Sequence, residues 1–325
     1  MSLLVLSDSD IRAVLSPRQA IDSQRAAYLA VAEGRLSASG VTSAHDPADD
    51  SLTFAHTGAI AGLTGVTCKF GMQASGNAAR GLPSVHAIVT VLRPDTGEPL
   101  ACLNGTAVTA LRTAAGVAAA ADVRARPDAG RLGLIGAGVQ AREAARLIAA
   151  VRDLSAIRAH GRRARQSSEL AADLQAELGV PSCAVTSAEQ VAADSDILVT
   201  ATTSREPVVC GEWLPAGSTV LTVGSYEPDR SELDLAATAR ADLIVADDPI
   251  KASSQCGILV EARQEGMPVQ VAAIGDVIAG RNPGRRAATD VVLFLCTGLG
   301  VQDASLAWAI IELAVARKLG TTVEF

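Results

Sequence analysis

Gly136-Ala137-Gly138-Val139-Gln140-Ala141 is the segment of this chain with the plainest chemical meaning. It follows the apolar run Leu132-Gly133-Leu134-Ile135 and opens a stretch with helical periodicity. Strand, G-x-G-x-x-A turn and helix, in that order, form the phosphate-binding corner of a dinucleotide site. The first glycine permits the tight turn, the second lets main chain approach a pyrophosphate, and small Ala141 allows close helix–strand packing. The helix start adds free N–H groups and positive potential for the anion. The next strand selects the dinucleotide. An acid at its end would accept from a ribose 2′-hydroxyl, but the sequence there is Ala159-His160-Gly161-Arg162-Arg163. Asp153 precedes the strand and Glu169 lies well into the helix that follows. Two guanidiniums at this position fit a 2′-phosphate through charge-assisted hydrogen bonds. NADP(H) is therefore expected ahead of NAD(H), the alternative being two solvated arginines at a loop tip.

These residues need a frame. From Leu132 onward strands and helices alternate: strands at 132–135, 156–159, 197–201, 219–223 and 243–246, helices at 140–151 and 166–178. That alternation signals an α/β domain with a parallel sheet covered by helices on both faces, a Rossmann fold. Before it the pattern differs. Ser7 or Asp8 caps a short helix, and Pro17 sits at the first position of a helix over 18–33. Residues 51–71 and 84–93 read as strands, with a turn at 93–99, and the alanine-rich run 106–121 reads as a helix. The charged stretch 122–130 marks a boundary. The expected domains are 1–122, 123–300 as the Rossmann NADP-binding domain, and 301–325 as a C-terminal helix returning to the first.

Composition narrows the classes of function. Apolar residues are 49% of the 325, ordinary for a globular protein, while aromatics are only 2%. A net charge of −7 repels a phosphate backbone, and few rings are available for base stacking, so no nucleic-acid partner is expected. The six cysteines are scattered without a C-x-x-C pair, as in a reducing compartment. Four histidines without metal-ligand spacing give no metal site. The first residues lack a basic region and no run is long enough to cross a bilayer, so a soluble, cytoplasmic protein is expected.

Several motifs fall in the order and spacing of one family. They are Cys68-Lys69-Phe70, Gly81-Leu82-Pro83, Asp95-Thr96-Gly97, Leu111-Arg112-Thr113-Ala114-Ala115 and the glycine turn. Further on come Thr202-Thr203-Ser204-Arg205-Glu206-Pro207, Val223-Gly224-Ser225, Glu232-Leu233-Asp234 and Gly280-Arg281-Asn282-Pro283-Gly284-Arg285. Over nearly its whole length the chain resembles the ornithine cyclodeaminase/μ-crystallin family. The resemblance implies a Rossmann domain plus an α+β substrate and dimerisation domain built from both termini, working as a homodimer. It also implies hydride transfer between a nicotinamide and the Cα of an amino or imino acid. Lys69 and Arg112 match the family's substrate-binding, catalytic cations, which fix an α-carboxylate and orient Cα toward the nicotinamide. Lys69, beside a second cation, is expected to have a lowered pKa and to exchange a proton with substrate nitrogen. Ser84, Arg112, Thr113, Gly136, Ala137, Gly138, Val139, Gln140, Gly161, Arg162, Arg163, Thr202, Thr203, Val223, Ser225 and Cys296 are implied to line the NADP site.

The sequence also departs from the family's pattern. Many members carry a further arginine near 40–45, where this chain reads Ser39-Gly40-Val41-Thr42-Ser43-Ala44-His45; either His45 substitutes or the stretch is an uncharged loop. Cyclodeaminases place a catalytic aspartate where Tyr226 stands, and the family's F-K-S segment appears here as Phe294-Leu295-Cys296, which removes a polar group near the nicotinamide. These changes argue against ornithine cyclisation. The expected activity is that of an NADP-dependent oxidoreductase on a C=N or C–N bond, an imine reductase or amino-acid dehydrogenase, with His45 and Tyr226 beside the substrate. The alternatives are oxidative hydrolysis of an N-linked amino-acid conjugate, ornithine cyclodeamination, and NADPH and carboxylate binding without turnover.

Overall fold

The structure is a computed structural model and describes residues 2–324, the side chains of Ser75 and Ala78 excepted. The chain opens with β1 (Ser2–Leu6), after which Ser7 caps α1 (Asp8–Val14). The Ser7 hydroxyl accepts from the Asp10 N–H, and the Asp10 carboxylate accepts from the Ser7 N–H. Ser16 and Gln19 repeat this reciprocal cap at α2 (Pro17–Ala32), with Pro17 at the first helical position. Then come β2 (Leu36–Asp46), β3 (Ser51–Ile60), β4 (Thr67–Ala74), β5 (Val85–Leu92), β6 (Pro99–Asn104) and the alanine-rich α3 (Gly105–Arg124). The stretch 51–71, expected as one strand, is two strands parted by a turn in which Gly62 has φ +71°. Residues 39–45 are not a loop but the middle of β2. Its side chains are exposed on both faces, so it carries no apolar alternation to read.

The alternating region supplies β7 (Arg131–Ile135), α4 (Val139–Ala149), β8 (Ala156–His160), α5 (Ala164–Leu178), β9 (Ser182–Ala184), α6 (Ala188–Ala193), β10 (Ile197–Thr200) and β11 (Thr219–Thr222). It continues through α7 (Leu235–Arg240), β12 (Leu243–Ala246), α8 (Pro249–Gln255), α9 (Gly257–Gln264), β13 (Val271–Ala273), α10 (Ile274–Ile278) and β14 (Val292–Leu295). The chain ends with α11 (Gly300–Arg317) and β15 (Thr321–Glu324). Chain contacts divide it into two units, residues 1–112 with 299–325, and residues 113–298. The division falls inside α3, between Arg112 and Thr113, ahead of the charged stretch at 122–130.

In the second unit eight parallel strands lie in the order β13-β12-β14-β11-β10-β7-β8-β9. This is a Rossmann fold with β14 slipped between β11 and β12. β10, β11 and β14 are buried along their whole length, as expected of parallel strands covered on both faces. Strand order reverses between β7 and β10, the switch point at which such sheets bind ligands. Arg285, from the G-R-N-P-G-R stretch, donates to the main-chain oxygens of Arg124 (2.9 Å) and Ser218 (3.1 Å), and so ties the opposite edge of the sheet together.

The first unit holds a seven-stranded sheet, β15-β1-β6-β5-β4-β3-β2, antiparallel except between β1 and β6. α11 packs on β3 and β4 beside α2. The approach is backbone to backbone: a Cβ on Gly58 would lie 2.2 Å from the carbonyl carbon of Gly300. On the other face of the sheet Phe70, Met72 and Ile88 are exposed.

Candidate active site

Pairing across the first unit's sheet sets Val41, His56, Lys69, Val89 and Leu103 directly opposite one another on β2 to β6. Opposed residues share a face, so Lys69 stands on the face with His56. α11 presents Asp303 to that face, fully buried, and α3 presents Arg112. The Lys69 Nζ donates to Asp303 Oδ1 at 3.0 Å, and the Arg112 Nε donates to the same oxygen at 3.2 Å. His56 Nδ1 lies 3.6 Å from Asp303 Oδ2. The Lys69 ammonium is also 5.6 Å from the centre of the Phe54 ring, which is tilted against the His56 ring.

Burial alone would raise the Asp303 carboxyl, but Lys69, then Arg112 and His56, outweigh it and hold Asp303 well below the usual carboxylate range. Asp303 is thus an anion. Burial, reinforced by Lys69 and Arg112 and opposed by Asp303, pushes His56 below its ordinary value, leaving a neutral imidazole at pH 7. Of the Arg112 donors only Nε is engaged by the protein; its two Nη groups have no partner among the described residues. The arrangement holds two cations at fixed positions with one guanidinium edge left for an incoming carboxylate.

Asp303 and His56 were not singled out in the sequence as site residues. A signal for Asp303 was present: it is the sole charge between Leu299 and Ile311, in a run otherwise suited to burial. His45 requires correction. The β2–β3 pairing carries it opposite Leu52 near the hairpin tip, where it is exposed and its Nε2 lies 3.1 Å from Asp50 Oδ1. The position beside Lys69 belongs to His56. Ser84 is exposed at the entry to β5, its carbonyl accepting from the Ala74 N–H.

The other sequence-selected residues sit mainly along one edge of the second unit, where all strands end in the same sense. After β7, Gly136 has φ +110°, and a Cβ there would lie 2.3 Å from the Ala201 carbonyl oxygen. Gly138 begins α4 without a side-chain cap, and a Cβ on it would meet no atom within 4 Å. The first turn of α4, with Val139 and Gln140, therefore points free N–H groups at open space, the setting a pyrophosphate requires. After β8, Gly161 is followed by Arg162 and Arg163, both exposed and without an ion-pair partner among the described residues.

After β10 and β11, Thr202 and Ser225 converge on a residue of the Glu232-Leu233-Asp234 motif for which the sequence implied no site role. Glu232 is fully buried and accepts from the Thr200 hydroxyl (2.8 Å), the Thr202 N–H (2.7 Å) and hydroxyl (2.8 Å), and the Gly224 N–H (2.7 Å). Its own N–H donates to the Ser225 hydroxyl. Burial raises its carboxyl above the ordinary value against the pull of these donors. Glu232 thereby fastens the ends of two neighbouring strands, next to Thr203 and Val223. Tyr226, in the loop beyond, lies with its ring centre 5.6 Å from the Arg230 guanidinium carbon, and Arg230 pairs with Glu227. Cys296 is buried at the end of β14, ahead of a loop shaped by Asp247, which accepts from the N–H groups of Thr297 and Gly298. Thr113 is buried within α3, and the Nε of Arg112 is turned to Asp303.

A Rossmann unit with an open glycine turn, together with a largely antiparallel unit bearing buried cations, defines an α/β protein of the dehydrogenase type. The chain belongs to the ornithine cyclodeaminase/mu-crystallin family, whose profile matches residues 4–318. Among solved structures it is similar to the Δ1-pyrroline-2-carboxylate reductase of Thermococcus litoralis in complex with NADH and L-proline, with a TM-score of 0.94 and 30% identity over 99% of this chain and 100% of that one. An archaeal alanine dehydrogenase dimer with bound NAD gives 0.92 and 28%, covering 100% of both chains. The iminosuccinate reductase of Paracoccus denitrificans in complex with NAD+ gives 0.91 and 29%, again over 100% of both. By name, these three relatives are oxidoreductases of imino or amino acids. Among the described residues no helix is long and apolar enough to cross a membrane.

Proposed function

We propose that this chain is an NADP(H)-dependent oxidoreductase that interconverts an imino acid and the corresponding amino acid. The observation that carries the reading is the Arg112 edge left open beside Lys69, both held on the buried Asp303 carboxylate. Arg112 binds and orients the substrate carboxylate through its Nη groups. Lys69 holds a proton at Nζ for the substrate nitrogen. A reduced nicotinamide, when bound, supplies hydride to the imine carbon, so hydride plus one proton turn C=N into CH–NH. The turn at Gly136 and Gly138 and the start of α4 hold the pyrophosphate, while Glu232 fixes Thr202 and Ser225 along the same edge. Arg162 and Arg163 take the 2′-phosphate; the solved relatives carry NAD or NADH, so cofactor preference is this chain's own property. The first unit serves substrate binding and dimerisation, its bare outer sheet face covered by a second copy.

Following NADPH consumption with cyclic imino acids, and with 2-oxo acids plus amines, tests the reading. Saturable turnover is expected, and Lys69→Ala should lower kcat by at least about 100-fold while NADPH binding persists. NADPH binding with no turnover on any of these compounds would replace the proposal with a binding role; unchanged kinetics in Lys69→Ala would remove the lysine from the chemistry.

A further inference from the structure

We infer that Asp303 is a fixed counter-ion that leaves the substrate cluster a single net positive charge, so that the site selects imino acids with one carboxylate and an uncharged, apolar remainder over dicarboxylates. The inference rests on the function proposed above and narrows its substrate class.

The elements packed around the cluster account for the charge. β4 contributes the Lys69 cation and α3 the Arg112 cation, while α11 contributes the Asp303 anion. β3 contributes His56, kept neutral chiefly by burial. β2 and β5 place Val41 and Val89 in the same cross-strand row. From α2 the buried polar groups beside Asp303 are Gln24 and Tyr28, hydrogen-bonded to Gln302 and uncharged. Two cations against one carboxylate leave room for one more negative charge.

The bonding pattern says where that charge goes. Both cations converge on the one Oδ1 atom, yet Arg112 engages it through Nε alone, so its Nη edge stays available to one carboxylate. The other members of this cross-strand row, Val41, Val89 and Leu103, are apolar, so a second carboxylate would have no further cation to pair with. It would give up water without a partner, and uncompensated burial of charge is the costliest event in binding. The same surface favours an aliphatic or cyclic remainder.

The test compares two five-carbon acids, α-ketovalerate and α-ketoglutarate, each with methylamine and NADPH. For the wild-type protein kcat/KM should favour the monocarboxylate by at least about tenfold, since leaving a buried charged group without a partner costs at least about that factor. Asp303→Asn, which keeps the side chain's shape and removes its charge, should shift that ratio toward the dicarboxylate by about tenfold or more; Asp303→Glu should keep the wild-type order. A merely structural role for Asp303 would depress both substrates together and leave the ratio unmoved, which would overturn the inference. Should the variants not fold, competitive inhibition of the wild-type protein by valerate and glutarate decides, and tighter inhibition by glutarate overturns it. Turnover of α-ketoglutarate equal to or above that of α-ketovalerate defeats the inference and leaves the oxidoreductase reading standing. Turnover of neither imine defeats both.

Discussion

Arg162 and Arg163 follow the last residues of β8, with His160 bonded to the Val185 carbonyl and no acid at the strand end. Guanidiniums with no protein partner contribute fully to whatever anion arrives, and a charge-assisted bond to phosphate is worth about 1.5–3 kcal/mol. Replacing both by Ala should therefore weaken NADPH binding by about 10- to 100-fold while NADH affinity changes by less than about threefold. Calorimetric titration of both cofactors checks this, and equal loss for both would refute the 2′-phosphate role. The placement of these arginines was legible because it is set locally: a short loop after a strand, following the glycine turn by about 25 residues. Asp303 and Glu232 were not, because their meaning comes from partners far along the chain. Lys69 and Asp303 are 234 positions apart, and the Thr202 donors reach back 30 residues from Glu232. Only folding shows that Asp303 holds two cations, or that Glu232 fastens two strand ends.

At the scale of elements, the sequence pattern worked where one face of an element is buried and failed where none of it is, and of the short strands buried on both sides it found β10 and β11 but not β14. The strand–turn–helix from β7 to α4 stands out by its apolar strand and glycine turn, α2 by its cap and Pro17, and α3 by its run of alanines. β2 and β15 are exposed along nearly all their length and have no apolar face to betray them. β14 is a four-residue strand buried on both sides and lies between elements that follow one another closely in the chain. The seam between β3 and α11 is a further feature that no single segment reveals. It depends on Gly58 and Gly300 both lacking side chains. Gly58→Ala would force a methyl to 2.2 Å of main-chain carbon that cannot step aside. The expected cost is on the order of 3 kcal/mol, seen as a Tm several degrees lower in calorimetry. Gly76→Ala, whose added carbon meets nothing within 4 Å, should leave the Tm within about one degree. Equal Tm values for the two variants would contradict a tight seam.

For the whole molecule, the outer face of the seven-stranded sheet bears on assembly. Phe70 (54% exposed) and Ile88 (51%) sit directly opposite each other on neighbouring strands, with Met72 close by, an apolar surface that solvent alone does not favour. If a second copy covers it, sedimentation should give twice the chain mass. A Phe70→Lys, Ile88→Lys double variant should sediment as a monomer with unchanged far-ultraviolet circular dichroism. A monomeric wild-type protein would disprove the assignment.

The way the chain is shared between its units also sets a schedule for its synthesis. Residues 113–298 form one uninterrupted stretch, whereas the other unit is assembled from residues on both sides of it. The nucleotide-type unit can therefore fold while the ribosome is still translating. Until α11 emerges, the inner sheet surface stays bare, and Lys69 and Arg112 repel each other with no carboxylate between them. A helix made only after the whole second unit is thus the one that neutralises them, and a chain cut short ahead of Asp303 would keep its glycine turn but lack the anion that holds its two cations together.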